Sequence, residues 1–257
     1  MQENRKYAAP AVEKAFDILE CLAEQPLPMS QTEIAKKLGR SSNEIYRVLV
    51  NLEERGYLIR EGRSGAYRVS LKLYNLSRSI FPIEQIRRCA MPHMDDFAVK
   101  TGMSCHLCML YQSQTMVIVH ASSPSPVSLN IAEGTLFSTL GTASGNILLA
   151  NSKKAVQDML LARSADFRVM PEDDKARLPA YLKKVRTEAL AYRKDALATG
   201  VESFATLIGE PEGKIIASLA VSYIQSQVKE MRRAQTPIKD DIIEELMRTA
   251  RLINDVY

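Results

Sequence analysis

Twice in short succession the chain sets a serine three residues ahead of a glutamate: Ser30-Gln-Thr-Glu33 and then Ser41-Ser-Asn-Glu44. At that spacing the serine oxygen accepts from the glutamate amide while the carboxylate accepts from the serine amide, so each box marks a helix start. Ile34, Ala35 and Leu38 follow the first box and Gly39 supplies a left-handed stop. Ile45, Val48, Leu49 and Leu52 follow the second, which Gly56 closes. Two capped helices joined by a short glycine-containing turn confine this stretch to a helix-turn-helix. Upstream, Val12, Ala15, Phe16, Leu19 and Leu22 recur at helical spacing and predict a first helix ending before Pro26. Downstream, Tyr57 to Arg60, a tip from Glu61 to Gly65, and Ala66 to Val69 read as a β-hairpin. Three helices and a hairpin make a winged helix-turn-helix.

The third helix divides its faces as a groove reader should. Its apolar residues lie inward, leaving Ser41, Ser42, Asn43, Tyr46 and Arg47 around the helix start and outer side. Asn and Arg have the bidentate geometries suited to adenine and guanine, and Ser41 and Ser42 beside helix-start amides suit phosphate. Arg63 at the hairpin tip is placed to reach a phosphate or the minor groove. Against this stands Glu44, whose carboxylate phosphates repel unless it caps the helix or accepts from a cytosine amine. The alternative is a protein-binding winged helix with an ordinary solvated face.

Charge does not decide between these. Of a net +4, residues 1–80 carry +3 and the remainder +1, a drift that many solvated surfaces share. The 257 residues, 46% hydrophobic, suffice for two domains and exclude disorder. No apolar run reaches the roughly 18 residues of a membrane span, the first ten residues carry no apolar signal core, and four cysteines are too few for a disulfide scaffold. A cytoplasmic protein without membrane attachment is expected.

The chain resembles the IclR-type bacterial transcriptional regulators. The resemblance runs through Val12-Glu-Lys-Ala-Phe-Asp-Ile-Leu19, Thr32-Glu-Ile-Ala35, Tyr46-Arg-Val-Leu49, Glu54-Arg-Gly-Tyr-Leu58 and Tyr67-Arg-Val69. It continues through Met91-Pro-His-Met94, Thr101-Gly102 with His106-Leu107, Gly141-Thr-Ala-Ser-Gly145 with Leu148-Leu-Ala150, and Ala217-Ser-Leu-Ala-Val-Ser222. It implies an α+β protein: a winged helix-turn-helix over residues 8–70, a linker helix over 71–83, and a GAF-like effector-binding and oligomerisation domain with an antiparallel sheet over 84–257.

The second half has its own local signals. Leu71 to Ser79 and Ile83 to Lys100 look helical, interrupted at Phe81-Pro82, with Pro92 expected to kink the second stretch or mark a junction. Strands are predicted at His106 to Tyr111 and Met116 to Ala121, the run Met116-Val-Ile-Val119 reading as covered on both faces. Helices are predicted at Ala143 to Ala150, Lys153 to Leu161 and Lys175 to Tyr192, strands at Phe204 to Ile208 and Lys214 to Ser222, and a last helix from Ile238 to about Ile253.

Leu140-Gly-Thr-Ala-Ser-Gly145 is the local candidate for a ligand site, since small residues admit a ligand to the backbone and helix-start amides suit a carboxylate. The competing reading is a helix cap with glycines chosen for packing. The resemblance implies that Ala143 and Ser144 present their backbone to a small carboxylate such as a keto, sugar or aromatic acid, that Leu129 and Phe137 are apolar walls, and that Arg193, Ser203 and Ser222 are polar contacts. Ser203 stands where the family commonly has cysteine, Arg193 where it commonly has an acid, and Tyr223-Ile224 where Gly-Pro is usual. If Arg193 faces the cavity, a bidentate clamp on a carboxylate would allow a more anionic effector.

Cys105-His-Leu-Cys108 has the spacing of half a zinc site, with His93 and His120 as possible distant ligands. In a strand, however, Cys105 points away from His106 and Cys108, so buried thiols beside a core histidine are the stronger reading. A Cys/His or metal-dependent enzyme acting on a small acid is the enzymatic alternative, but no oxyanion motif or orienting acid accompanies the pair. The sequence therefore points to a regulator and not an enzyme, without cofactor or metal. Its expected partners are a double-stranded DNA operator, a small carboxylate effector, and its own copies as a homodimer or dimer of dimers.

Overall fold

The computed structural model describes residues 9–78, 81–126, 128–194, 198–213, 216–224 and 239–256. The chain divides into two compact units, Met1–Ile80 and Phe81–Tyr257, and each is described by itself.

In the first unit, α1 (Pro10–Ala23), α2 (Gln31–Lys37) and α3 (Ser42–Glu54) precede the antiparallel hairpin of β1 (Leu58–Arg60) and β2 (Tyr67–Val69), and α4 (Lys72–Arg78) follows. Both capping boxes are complete. The Glu33 amide donates to Ser30 Oγ at 3.4 Å and the Ser30 amide to the Glu33 carboxylate at 2.7 Å. The Glu44 amide donates to Ser41 Oγ at 3.3 Å and the Ser41 amide to the Glu44 carboxylate at 3.2 Å. Gly39 takes φ +62° between the two helices, the left-handed conformation that lets the second box begin so soon.

Ile18, Ile34, Ile45, Leu49, Leu58 and Tyr67 lock the three helices and the hairpin into one core. The predicted α1 stripe is only partly buried. Ile18, Leu19, Cys21 and Leu22 point inward, whereas Val12 and Phe16 are 52% and 58% exposed, because the small domain covers only the C-terminal half of the helix. Ser30→Ala is expected to cost about 1 kcal/mol of stability. Urea unfolding would measure it, and an unchanged midpoint would show that the cap contributes nothing.

The second unit comprises α5 (Phe81–Thr101), β3 (Cys105–Tyr111), β4 (Gln114–Ala121), β5 (Leu136–Ser138), α6 (Ala143–Asn151), α7 (Lys154–Arg163), α8 (Ala165–Val169), α9 (Glu172–Glu188), β6 (Leu190–Lys194), β7 (Val201–Ile208), β8 (Ala217–Ile224) and α10 (Lys239–Val256). Its six strands form one antiparallel sheet in the order β5-β4-β3-β8-β7-β6. Alternation along the strands splits the side chains between two cores. On one face Leu107, Leu219 and Val221 pack with Phe97 of α5 and Leu246 of α10. On the other, Ala191, Ala205 and Ala220 form a flat row against Leu140, Ile147 and Leu182. Every residue of α6 is buried, the polar Ser144, Asn146 and Asn151 included, which explains why the helix has no amphipathic stripe.

The elements depart from expectation in several places. The helix predicted from Lys175 to Tyr192 ends at Glu188, where Ala189 takes φ +53° and turns the chain into strand β6. Phe81-Pro82 opens α5 and does not interrupt it; proline is tolerated in a first turn, whose amides have no helical partner. Pro92 lies inside α5, so it marks no junction there. The short elements β5 and α8 were not anticipated. Ile238, where the last helix was expected to begin, lies outside the described residues, as do Lys214 and Ser79. No helix among the described residues is long and apolar enough to cross a membrane.

Candidate nucleic-acid interface and candidate ligand site

On α3, Ile45, Leu49 and Leu52 are buried, while Asn43, Tyr46 and Arg47 stand exposed on the outer side. Ser41 is exposed and Ser42 half-buried, its carbonyl accepting from Gln31 Nε2 at 2.8 Å and so fixing α2 against the start of α3. Glu44 is used locally. The Ser41 amide and Lys14, whose Nζ lies 3.2 Å away, hold its carboxyl below the usual carboxylate range. Its carboxylate is thus engaged by the cap and by Lys14 of α1, the capping role in which its charge is least opposed to a phosphate nearby. Val50 and Asn51 continue the outer side one turn beyond Asn43, Tyr46 and Arg47; the signal for them was the same helical spacing. At the hairpin tip the Gly65 amide donates to the Glu61 carbonyl at 2.8 Å, and Arg63 is exposed.

In the second unit, the segment 138–142 is strapped over the start of α6. Asn146 Nδ2 donates to the carbonyls of Thr139 at 3.1 Å and Leu140 at 2.9 Å, and Thr142 Oγ1 donates to the Ser138 carbonyl at 3.0 Å. Gly145 is required there: a Cβ would lie 2.2 Å from the Thr139 carbonyl oxygen. Thr142 caps the helix by accepting from the Gly145 amide at 3.1 Å. The preceding two amides, of Ala143 and Ser144, find no acceptor among the described residues, although these residues are only 1% and 5% exposed. Two buried donors without partners at a helix start are groups that native structures normally satisfy with water or a ligand.

Arg193, Ser203 and Ser222 fall in one cross-strand row over β6, β7 and β8. The buried hydroxyls of Ser203 and Ser222 lie 2.8 Å apart. Arg193 Nε donates to Asn146 Oδ1 at 3.0 Å and Nη2 to the Leu140 carbonyl at 2.8 Å, and its guanidinium stacks 5.2 Å from the Tyr181 ring centre. Two of its five N–H groups are therefore spent on the strap and α6, which gives it a positioning task. Phe137 packs on Cys108, Val117 and Ile131, and Leu129 is half-buried in the loop between β4 and β5. No local pattern marks Asn146, whose partner Arg193 is far away in sequence.

Cys105 faces the α5 core, while Cys108 joins the opposite cluster with Val117, as alternation requires. Burial pushes both thiols up, Cys108 to about 12 despite the Ser144 and Ser218 hydroxyls beside it, so neither is a nucleophile at neutral pH. Among the described residues no three His, Cys, Asp or Glu side chains are grouped for a metal ion. His106 pairs in register with His120, and burial, with a smaller contribution from that neighbour, lowers its pKa from 6.5 to about 4. The unfolded chain thus takes up a proton below pH 6.5 that the folded chain refuses until about pH 4. Stability is full above 6.5 and falls as the pH drops between those values, by about 2 kcal/mol from pH 7 to pH 5. Urea titrations at both pH values should show that fall in the wild type and a markedly smaller one in His106→Gln; equal falls would remove His106 as its source.

Two family models match the chain: the IclR helix-turn-helix domain over residues 11–62 and the bacterial transcriptional regulator IclR C-terminal domain over residues 82–254. Among curated relatives, the HTH-type transcriptional regulator XynR of Escherichia coli is 24% identical over 87% of this chain and 90% of its own length. The HTH-type transcriptional regulator KdgR of the same organism is 25% identical over 86% and 85%. An IclR homolog from Microbacterium hydrocarbonoxydans, solved in complex with 4-hydroxybenzoate, shares the fold with a TM-score of 0.76 at 18% identity, over 96% of this chain and 98% of that one.

Proposed function

The chain belongs to the IclR family and is a transcriptional regulator of that type, not an enzyme; from that premise we propose that it is a cytoplasmic, effector-responsive regulator of a catabolic operon. Residues 8–70 read the operator, 71–83 link, and 84–257 bind a small organic acid and oligomerise. Asn43, Tyr46 and Arg47 contact base edges in the major groove, Ser41 and Ser42 the phosphates, and Arg63 the backbone or minor groove. The outward polar side of α3 beside its capping Glu44 supports this assignment.

The observation that carries the effector assignment is the pair of buried, unpartnered amides of Ala143 and Ser144. A carboxylate accepts from two such donors at the positive end of α6. Ser203 and Ser222 supply further polar contacts, Leu129 and Phe137 apolar walls, and Arg193 holds the strap while offering its remaining N–H groups. The homologue complexed with 4-hydroxybenzoate supports a small acid as the ligand class. A homodimer or dimer of dimers is supported by a groove of about 660 Å³ on the first unit, where Val12, Phe16, Val48, Leu73 and Leu76 present apolar surface of the kind a second copy covers. Effector binding then biases the placement of the paired reading units through the helices of residues 71–101.

The test is binding of the purified protein to fragments of its own promoter region at two salt concentrations, with and without a panel of small carboxylates. Sequence-selective binding that falls steeply with salt and changes with one acid supports the proposal. Selective binding that no acid alters would overturn the effector assignment, and salt-insensitive or unselective binding the operator assignment. In the same assay Arg193→Ala should weaken the effector response and leave effector-free operator affinity unchanged. An equal response in both proteins would remove Arg193 from the site.

A further inference from the structure

We propose that the second unit carries another ligand site, away from the sheet, for a small amphipathic anion: a carboxylate or sulfonate on an apolar body. A cleft of about 290 Å³ opens where the end of α6 meets α7, α8 and α9. Its floor is apolar, formed by Ala150, Leu161, Phe167, Leu178 and Leu182. Its rim is cationic: Lys154, Lys175, Lys183 and Arg186 all line it, and no acidic side chain does. A concave apolar floor with a few convergent charged groups is the general form of a small-molecule site, and this volume lies at the small end of the usual range.

The ion pairs explain how the cations stay at the rim. Lys154 pairs with Asp158 at 2.7 Å, Lys175 with Glu172 at 2.8 Å and Arg186 with Glu212 at 2.8 Å, each acid standing outside the cleft lining. Lys175 Nζ also sits 5.6 Å from the centre of the Phe167 ring, which joins the charged rim to the apolar floor. Lys183 is exposed and has no ion pair among the described residues. Apolar burial supplies the affinity, and the cationic rim, with Lys183 unpaired among the described residues, selects the anion. The chemistry differs from that proposed at α6, where backbone amides, two serine hydroxyls and the single cation Arg193 would meet the ligand. A volume of about 290 Å³ fits a small molecule as the occupant.

The probe is sodium octanoate, titrated into the full-length protein while the leucine methyl groups are followed by NMR, with octan-1-ol as a control of the same apolar body without charge. Saturable shifts are expected at the methyls of Leu161, Leu178 and Leu182, with octanol at least about tenfold weaker. The double variant Lys154→Glu, Lys183→Glu lies on the exposed rim and should fold normally, and it should weaken octanoate about tenfold while leaving octanol unchanged. Equal binding of acid and alcohol, equal octanoate binding by the variant, or shifts confined to residues outside the cleft would each overturn the proposal.

Discussion

Replacing Gly145 by alanine is expected to destabilise the second unit by at least about 3 kcal/mol, lowering its melting temperature by roughly 6 to 12 °C, and to abolish the effector response. The added Cβ would lie 2.2 Å from the Thr139 carbonyl oxygen, 2.5 Å from its Cα and 2.6 Å from its carbonyl carbon, all of them backbone. Relief by movement of the strap is blocked on several sides. Asn146 holds the Thr139 and Leu140 carbonyls, Arg193 holds Leu140 again, and Thr139 Oγ1 donates to the Ser113 carbonyl at 3.0 Å. The start of α6 must shift instead, and with it the Ala143 and Ser144 amides. Calorimetry should show the transition of the second unit lowered, while operator fragments still bind. A variant with unchanged melting and unchanged acid response would mean that the strap yields freely.

The second large effect is on the operator. Arg47→Ala and Asn43→Ala each remove one side chain from the outer face of α3 without touching its core, so folding should be unaffected. Loss of one bidentate base contact is worth about 1–3 kcal/mol, and a dimer loses it at both half-sites, so specific affinity should fall about a hundredfold or more. Non-specific binding should fall far less. Arg63→Ala is the contrasting case: if it contacts phosphate, it weakens all sequences alike and flattens the salt dependence by about one unit per copy. Fluorescence anisotropy on operator and scrambled duplexes separates the two patterns. Unchanged operator affinity in Arg47→Ala would withdraw that side chain from the interface.

The winged helix was legible because its signals are local. Each capping box closes within four residues, and Gly39 and Gly56 stop the helices in left-handed conformations that glycine favours. Strand β6 was not, because its boundary rests on Ala189, a residue with helical preference that tertiary packing forces into a left-handed turn. The three-residue strand β5 is too short to show alternation. In α1 the apolar stripe outruns the core it serves, so Val12 and Phe16 matched a helix but not a buried one. The helix start at Ala143 was readable from its small residues. What fastens it was not, since the Asn146 to Arg193 bond joins positions with no pattern in common and depends on the register of β6.

The middle of the sheet has a consequence for how the molecule is made. Strands β3 and β8 are neighbours, with Cys105 opposite Val221 and Cys108 opposite Ser218, although roughly a hundred residues separate them along the chain. The core of the first unit, by contrast, is built from residues 18–67. On the ribosome the winged helix can therefore fold as soon as it emerges, whereas the seam between β3 and β8 must wait until residues 217–224 have been made. Every newly made copy passes through an interval in which it has a finished reading head and no sensor. Chaperone demand and aggregation risk should concentrate in that interval, on the unpaired edge of β3.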